Sequence, residues 1–308
     1  MFGTMNRRKF LGAAGGAAAA ALVQPAFSQS ALTSTALAEN FLLISGAGSN
    51  VLAVTGAEEV LLVDGGDAAH SAELLQFVSR QAGGKPVRIA FNTHWHHDHV
   101  GANEAMGKSG AKIYSHVFTK QWLSTEIDWG WQHQIFEPLP EIARPNQTFY
   151  DSGKLAFGSQ QVLYAHIGPA HTDGDIYVYF PGPNILMAGD VVSAGSYPVL
   201  DWTTGGWIYG IVDAQDALLK LINDQTRVVP GSGPVQTKAD LQALHDMCET
   251  VRGRLFELIR HGNGPKDMVA AKPTAEFDQK YGDPEQFILN AYRGLWAHVR
   301  ELRGSGIV

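Results

Sequence analysis

Short apolar runs separated by turn residues dominate the first part of the chain. Three of these runs cover residues 41–45, 50–54 and 60–64, and glycine-containing segments stand between them. Runs of this length that are bounded by turn formers predict strands joined by tight connections. We therefore expect a β-meander in this region.

Helical and strand-like patterns alternate after the meander. Residues 68–81 place Leu74, Leu75 and Val78 on one side of a predicted helix. The alternation continues with strand-like runs at 87–92, 111–115, 161–164, 176–180, 185–188 and 226–229, and with helical patterns at 213–222 and 236–262. Apolar strands alternating with amphipathic helices predict a two-sheet α/β layered domain.

Two segments stand apart from this alternation. Between residues 118 and 150 aromatic side chains crowd together and prolines interrupt the pattern, which is typical either of an insertion that roofs a site or of an aromatic flank of the core. The pattern of residues 265–303 predicts a helical tail with an apolar stripe. That stripe is interpreted as core or as a dimer face, so a homo-oligomer is among the expectations.

The N-terminus carries the features of a twin-arginine export signal. Arg7 and Arg8 precede an alanine- and glycine-rich apolar stretch, and small residues follow it. The apolar stretch is short for a transmembrane helix, although an uncleaved membrane-anchoring helix is the alternative. We expect a signal peptide at 1–28, cleavage after Ser28 or Ala38, and a single mature domain with C-terminal helices at 29–308. The mature protein would then be periplasmic or secreted, exported by the twin-arginine machinery and without stable membrane insertion.

Composition limits the classes of partner. The chain has 308 residues, of which 45% are hydrophobic, so it can bury a large core. Loss of residues 1–28 removes three basic residues and no acidic one, which leaves 20 basic against 30 acidic residues. This negative balance disfavours nucleic acids and other polyanions. A small-molecule substrate is the expectation.

The densest chemistry lies in residues 94–99, which read His-Trp-His-His-Asp-His and follow the predicted strand 87–92. On a loop that leaves a sheet, side chains i and i+2 can face one point while i+4 and i+5 face a second point nearby. Imidazole and carboxylate groups suit Zn²⁺, and iron, manganese or cobalt also accept them. The hexapeptide therefore predicts a metal site, with an accidental surface histidine cluster as the alternative.

Three further candidates follow strand-like runs, namely His171, Asp190 after Gly189, and the turn Pro230-Gly231-Ser232-Gly233. Together with the hexapeptide, this set resembles the metallo-β-lactamase-fold hydrolase superfamily over the mature chain up to about residue 234. Residues 171–175 and 272–277 also resemble its exported branch, which is associated with quinoprotein relay and sulfur-oxidation systems. The resemblance implies an α/β fold arranged as an αβ/βα four-layer sandwich, with metals at the edge between the sheets.

The resemblance also implies a role for each candidate. His94, His96 and His171 would hold one metal, Asp98 and His99 would help to hold a second, and Asp190 would bridge both. Ser232 stands where the family has its last histidine ligand. A hydroxyl is a poor zinc ligand, so the implied cofactor is one or two Zn²⁺ per chain with a weak second site.

The implied mechanism is attack of metal-bound hydroxide on a carbonyl, with Asp98 accepting a hydrogen bond from the nucleophile. The resemblance also implies that an aspartate at position 190 favours ester, lactone or thioester substrates, while β-lactam hydrolysis stays open. Asp64, at the end of a predicted strand, is expected to support the metal loop. Two other functions remain open: a mononuclear iron dioxygenase acting on persulfides, and a non-catalytic metal-binding protein.

Overall fold

The structure is a computed structural model that describes residues 32–298. The predicted signal peptide lies outside the described residues and stays a prediction, as does cleavage after Ser28. The alternative cleavage after Ala38 would remove the first strand, which pairs with the second from Thr33 to Ala38.

The elements up to residue 149 are, in chain order, β1 (Thr33–Ala38), β2 (Phe41–Ala47), β3 (Ser49–Thr55), β4 (Val60–Val63), α1 (Ser71–Gln81), β5 (Val87–Phe91), α2 (His97–Val100), α3 (Asn103–Lys108), β6 (Lys112–His116), α4 (Val117–Trp122), β7 (Ile127–Trp129), β8 (Gln134–Phe136) and β9 (Gln147–Phe149). The later elements are β10 (Ser152–Phe157), β11 (Gln160–His166), β12 (Ile176–Phe180), β13 (Ile185–Gly189), α5 (Ile208–Leu221), β14 (Arg227–Pro230), α6 (Lys238–Arg260), α7 (Pro265–Ala270), α8 (Asp278–Tyr281) and α9 (Glu285–Ala297). Short 3-10 helices cover Glu141–Ala143 and Trp202–Thr204.

The strands form two main sheets and a separate hairpin. The first sheet has the order β1-β2-β3-β4-β5-β6-β9, the second has the order β10-β11-β12-β13-β14, and β7 pairs with β8 alone. Strands β2, β3 and β4 are antiparallel neighbours, which confirms the predicted β-meander. The pairs β4–β5, β5–β6 and β6–β9 are parallel, so these four strands end at one edge of the sheet.

Strand β4 shows how the layers stack, because its side chains alternate between two apolar cores. Leu61 and Val63 belong to the core that lies between the two sheets. Val60 and Leu62 pack on the other face, together with Leu74 of α1. Helices α5, α6 and α9 cover the outer face of the second sheet with a further core. The order helix, sheet, sheet, helix confirms the αβ/βα four-layer sandwich.

Several elements were not predicted from the sequence. Strand β1 is mostly exposed, and β10 alternates exposed and half-buried residues, so neither carries a strong apolar signal. The aromatic insertion contains the β7–β8 hairpin, and the predicted helical tail is divided into α7, α8 and α9. Within residues 32–298, no helix has both the length and the apolar character needed to cross a membrane.

A pair of stacked histidines joins the two sheets at the ends of β6 and β11. The rings of His116 and His166 lie 3.8 Å apart at 5°. His116 Nε2 lies 3.0 Å from the carbonyl oxygen of Tyr150, while its Nδ1 accepts a hydrogen bond from the backbone N–H of Phe118. Burial, with a smaller effect of His166, lowers the pKa of His116 to about 4. A neutral ring suits this arrangement.

This pair makes the metal-free protein less stable in acid. Because the pKa of His116 is lower in the folded state, the unfolded chain takes up more protons between about pH 6.5 and pH 4, and the free energy of unfolding falls as the pH drops through that window. We expect His116→Gln to shrink the difference between urea midpoints measured at pH 7 and pH 5. An equal difference in the parent and the variant would contradict this assignment.

Candidate metal centre

Four ligand-type side chains meet where strand ends of both sheets come together. His94 and His96 follow β5, His171 lies in the connection between β11 and β12, and Asp190 follows β13. One ligand atom from each of these four residues lies within 4.8 Å of the others. The structure therefore brings together four of the predicted ligands and forms a group that could hold a metal ion.

Hydrogen bonds hold the three imidazole rings so that one nitrogen of each faces the cluster. His171 Nδ1 lies 2.7 Å from the carbonyl oxygen of Val199, and His96 Nε2 lies 3.2 Å from Asp201 Oδ2. The remaining nitrogens, His96 Nδ1 and His171 Nε2, are 3.0 Å apart. Such partners fix the orientation and tautomer of metal-binding histidines.

His94 supplies the observation that best fits a metal. Its Nδ1 lies 3.1 Å from Thr93 Oγ1, but its Nε2 is buried without a hydrogen-bond partner. A buried polar atom without a partner costs stability, and a metal ion would satisfy it. Three imidazoles and one carboxylate also form a donor set that zinc accepts. The residues present therefore fit a metal.

Burial sets the charge state of these rings. It lowers the pKa of His94 well below the ordinary value, and the neighbouring His99 and His96 act in the same direction. Burial, followed by His171, lowers the pKa of His96 as well. Neutral imidazole is the form that coordinates a metal, so binding requires little proton release from His94 and His96.

His99 lies beside the cluster in a different environment. Its Nδ1 is 2.9 Å from Asp64 Oδ2, and its Nε2 is 3.3 Å from Asp190 Oδ1. Burial opposes a charge on this ring, but the carboxylates of Asp64 and Asp190 outweigh burial and hold the pKa of His99 well above the ordinary value. In the metal-free protein, His99 is therefore a charge partner of Asp190.

Asp64 has the supporting position that the sequence predicted. Its carboxylate accepts hydrogen bonds from the backbone N–H of Thr93 at 2.8 Å and from Thr93 Oγ1 at 2.9 Å, in addition to its contact with His99. Asp64 itself has a φ of 64°, a conformation that costs energy in a non-glycine residue. Asp64 thus connects the end of β4 to Thr93, which begins the loop that carries His94 and His96.

Asp98 and Ser232 are the other two positions that the resemblance relates to a second metal. Neither belongs to the group of four. The Asp98 side chain is 51% exposed, and its Oδ2 lies 3.9 Å from His99 Nε2. Ser232 is exposed and borders a separate small cavity with Ser45 and Asn50. Asp98 and His99 are thus near the group of four, whereas Ser232 lines another surface.

Gly231 explains why the chain can pass so close to the cluster. A Cβ atom at this position would lie 1.7 Å from Asp190 Oδ1 and 2.9 Å from His99 Cε1. Any side chain here would displace Asp190. The glycine therefore lets β14 end beside the metal ligands.

A cavity of about 440 Å³ opens over the cluster. The β7–β8 hairpin forms part of its wall through Trp129 and Phe136. The same two rings pack edge-on against the fully buried Trp95, with ring centroids 5.7 and 5.5 Å from it. The aromatic insertion therefore lines the cavity over the candidate site and packs on the core at the same time, so the two interpretations drawn from the sequence do not exclude each other.

Asp201 is the site residue that the sequence did not reveal. It is fully buried, and its carboxylate accepts a hydrogen bond from Trp129 Nε1 at 2.7 Å and another from Thr204 Oγ1, besides contacting His96. Burial raises the pKa of Asp201, but His96 and the other donors outweigh burial and hold it below the ordinary value. In sequence, an aspartate before Trp202-Thr203-Thr204 is indistinguishable from an ordinary helix cap.

Comparison with known proteins places the chain in a family. Residues 45–233 match the model of the metallo-beta-lactamase superfamily, and the chain belongs to that superfamily. It is 27% identical over 191 residues to a metallo-beta-lactamase type 2 from Bacillus sp. (strain 170), which covers 62% of this chain and 68% of that protein. A protein of the same description from Bacillus cereus is 26% identical over 188 residues, covering 61% of this chain and 68% of that protein.

Solved structures agree on the fold. A metallo-beta-lactamase from Pontibacter korlensis superimposes with a TM-score of 0.57 at 23% identity and covers 70% of this chain and 99% of its own. A stereoselective inverting sec-alkylsulfatase from Pseudomonas sp. gives a TM-score of 0.68 at 16% identity, covering 85% of this chain and 50% of its own. These likenesses concern the fold alone.

Proposed function

We propose that this protein is an exported zinc-dependent hydrolase that cleaves the carbonyl group of an ester, lactone, thioester or β-lactam. One observation carries the proposal: each of three buried imidazoles directs a nitrogen toward one point, and one of these nitrogens, His94 Nε2, has no hydrogen-bond partner. Membership of a superfamily whose relatives include metallo-beta-lactamases supports it.

The residues divide into those that hold the metal and those that serve the substrate. His94, His96 and His171 would hold one zinc ion, with Asp190 beside them. Zinc held by three histidines keeps an open position, supplies an activated water at neutral pH and polarises a carbonyl oxygen. Asp98, which lines the cavity with a half-exposed carboxylate, would accept a hydrogen bond from the attacking water.

The metal count follows from the same geometry. The group of four is compact, whereas Asp98 and His99 adjoin it and Ser232 borders another cavity. We propose one tightly held zinc ion and a weaker second position that involves Asp98, His99 and Asp190. Missing or mispositioned partners lower metal affinity by about tenfold or more.

The test is a hydrolysis panel combined with metal counting. Protein expressed with zinc and iron both available would be analysed for its metal content and offered one neutral ester, one lactone, one thioester and one β-lactam. We expect turnover of at least one carbonyl class in proportion to bound zinc. A single tightly bound iron with no zinc, or bound zinc without turnover on any substrate, would overturn the proposal.

Export through the twin-arginine route is proposed on the sequence alone, from Arg7 and Arg8 and the apolar stretch that follows. We expect replacement of both arginines by lysine to keep the protein in the cytoplasmic fraction of an expressing bacterium. Equal amounts of parent and variant in the periplasmic fraction would contradict export by this route.

A further inference from the structure

The charges around the cavity over the four candidate ligands do not suit the binding of anions. Three acidic residues, Asp67, Asp98 and Asp190, line the cavity. Among the described residues that form its walls, none is a lysine or an arginine. An anionic substituent of a substrate would therefore meet no cationic side chain along these walls.

The three acids do not have the same neighbours. Asp190 belongs to the metal group and contacts His99, so its charge is balanced within the cluster. Asp67 lies outside that group and is 31% exposed; its Oδ1 accepts a hydrogen bond from the backbone N–H of His70 at 2.9 Å and lies 2.8 Å from Nδ1 of the same residue. Asp98 is half exposed. Even when a metal neutralises part of the cluster, Asp67 keeps the wall acidic.

The remaining wall is aromatic. Trp129 and Phe136 line the cavity together with Val199, and the fully buried Trp95 packs against these two rings. Aromatic faces attract ammonium groups and bind them most strongly when water is excluded. Acidic and aromatic groups around one cavity form the chemical setting that recognises quaternary ammonium ligands.

Resting on the proposed hydrolase function, we propose that this cavity selects carbonyl substrates that carry an ammonium group and discriminates against substrates that carry an anionic group. A cation gains from Asp67, from Asp98 and from the aromatic wall. An anion loses water and meets no lysine or arginine along the described walls, which acts as selection against it. β-Lactam antibiotics carry a carboxylate beside the ring, so they are disfavoured relative to neutral and cationic esters.

Three phenyl esters of similar shape provide a matched test: those of trimethylammonioacetic acid, 3,3-dimethylbutanoic acid and sulfoacetic acid. For each, kcat/KM of the zinc-loaded protein would be divided by the rate constant for hydrolysis by hydroxide, which removes differences in intrinsic reactivity. We expect the cationic ester to exceed the sulfonate by about tenfold or more. Asp67→Asn, which can still accept the hydrogen bond from His70, should reduce this ratio by about threefold.

Asp213→Asn is the matched control, because it removes the same charge from an exposed position on α5, where the side chain is 77% exposed. It should leave the ratio as in the parent. A sulfoacetate ester cleaved as fast as the cationic ester, or an equal effect of Asp67→Asn and Asp213→Asn, would overturn the inference while leaving the hydrolase proposal intact.

A binding measurement separates the inference from catalysis. Benzyltrimethylammonium and phenylmethanesulfonate would be titrated into metal-free and zinc-loaded protein while tryptophan fluorescence is recorded, since Trp129 lines the cavity and Trp95 packs against it. We expect saturable quenching by the cation, weakened about threefold by Asp67→Asn. Sulfonate binding equal to that of the cation would overturn the inference. If no ester of any charge is hydrolysed, the hydrolase proposal fails. The titration with the ammonium compound then still tests whether the cavity prefers cations.

Discussion

Replacing His171 by alanine is expected to remove the tightly bound zinc and to lower ester hydrolysis by about a thousandfold or more. His171 contributes Nε2 to the group of four, and its other nitrogen is already held by the carbonyl oxygen of Val199. No other member of the group of four takes the place of that ligand when the ring is lost, so a bound ion would lose one of its four protein ligands. Metal analysis after gel filtration, together with kcat/KM on a neutral ester, measures both effects.

His261→Ala is the control, since His261 is exposed at the C-terminal end of α6 and loses the same side chain. It should retain zinc and activity. Far-ultraviolet circular dichroism of the His171 variant shows whether the fold persists. A folded His171→Ala protein that keeps one equivalent of zinc would show that the ligand set is wrong.

Replacing Asp201 by asparagine is expected to weaken zinc binding by about tenfold to a hundredfold. The carboxylate accepts hydrogen bonds from Trp129 and Thr204 and contacts His96 Nε2, so three groups that can donate a hydrogen bond face it. An amide has one acceptor oxygen, and its NH₂ group would face another donor. His96 would then lose the partner that directs its Nδ1 toward the cluster.

Trp129→Phe tests the hydrogen bond from Trp129 to Asp201 separately from the contact between Asp201 and His96. It keeps an aromatic ring in the cavity wall but removes one hydrogen bond to the carboxylate. We expect it to weaken zinc binding only about threefold, since His96 keeps its contact with Asp201. Competition with a chromogenic chelator gives the affinities, and thermal unfolding of the metal-free proteins reports structural damage. Equal zinc affinities in the parent and in Asp201→Asn would show that Asp201 does not position His96.

The layered fold was predictable because its strands are strongly apolar. Val60–Val63 is fully buried on both faces, and a short apolar run of this kind bounded by turn residues is typical of an internal strand. Strand β1 and the β7–β8 hairpin were not predictable, since β1 is mostly exposed and β7 and β8 have only three residues each, which is too short for a period of two to be recognised.

The candidate site was predictable only in part, because a local sequence pattern does not report contacts between residues that are distant in the chain. His94, His96, His171 and Asp190 follow strands, so strand ends and residue type were sufficient to nominate them. Asp201 is held to the site by contacts across 72 and 105 residues of sequence, to Trp129 and His96, which no local pattern reports. The acidic and aromatic walls of the cavity depend in the same way on tertiary packing.

The most direct test of the central claim is a zinc titration of the metal-free protein with turnover of a neutral phenyl ester as the readout. The three-histidine site predicts that the rate rises in proportion to added zinc and reaches most of its maximum near one equivalent, and that His171→Ala shows no such rise. A parent protein that binds one equivalent of zinc while its rate stays at that of the His171→Ala variant would contradict the claim.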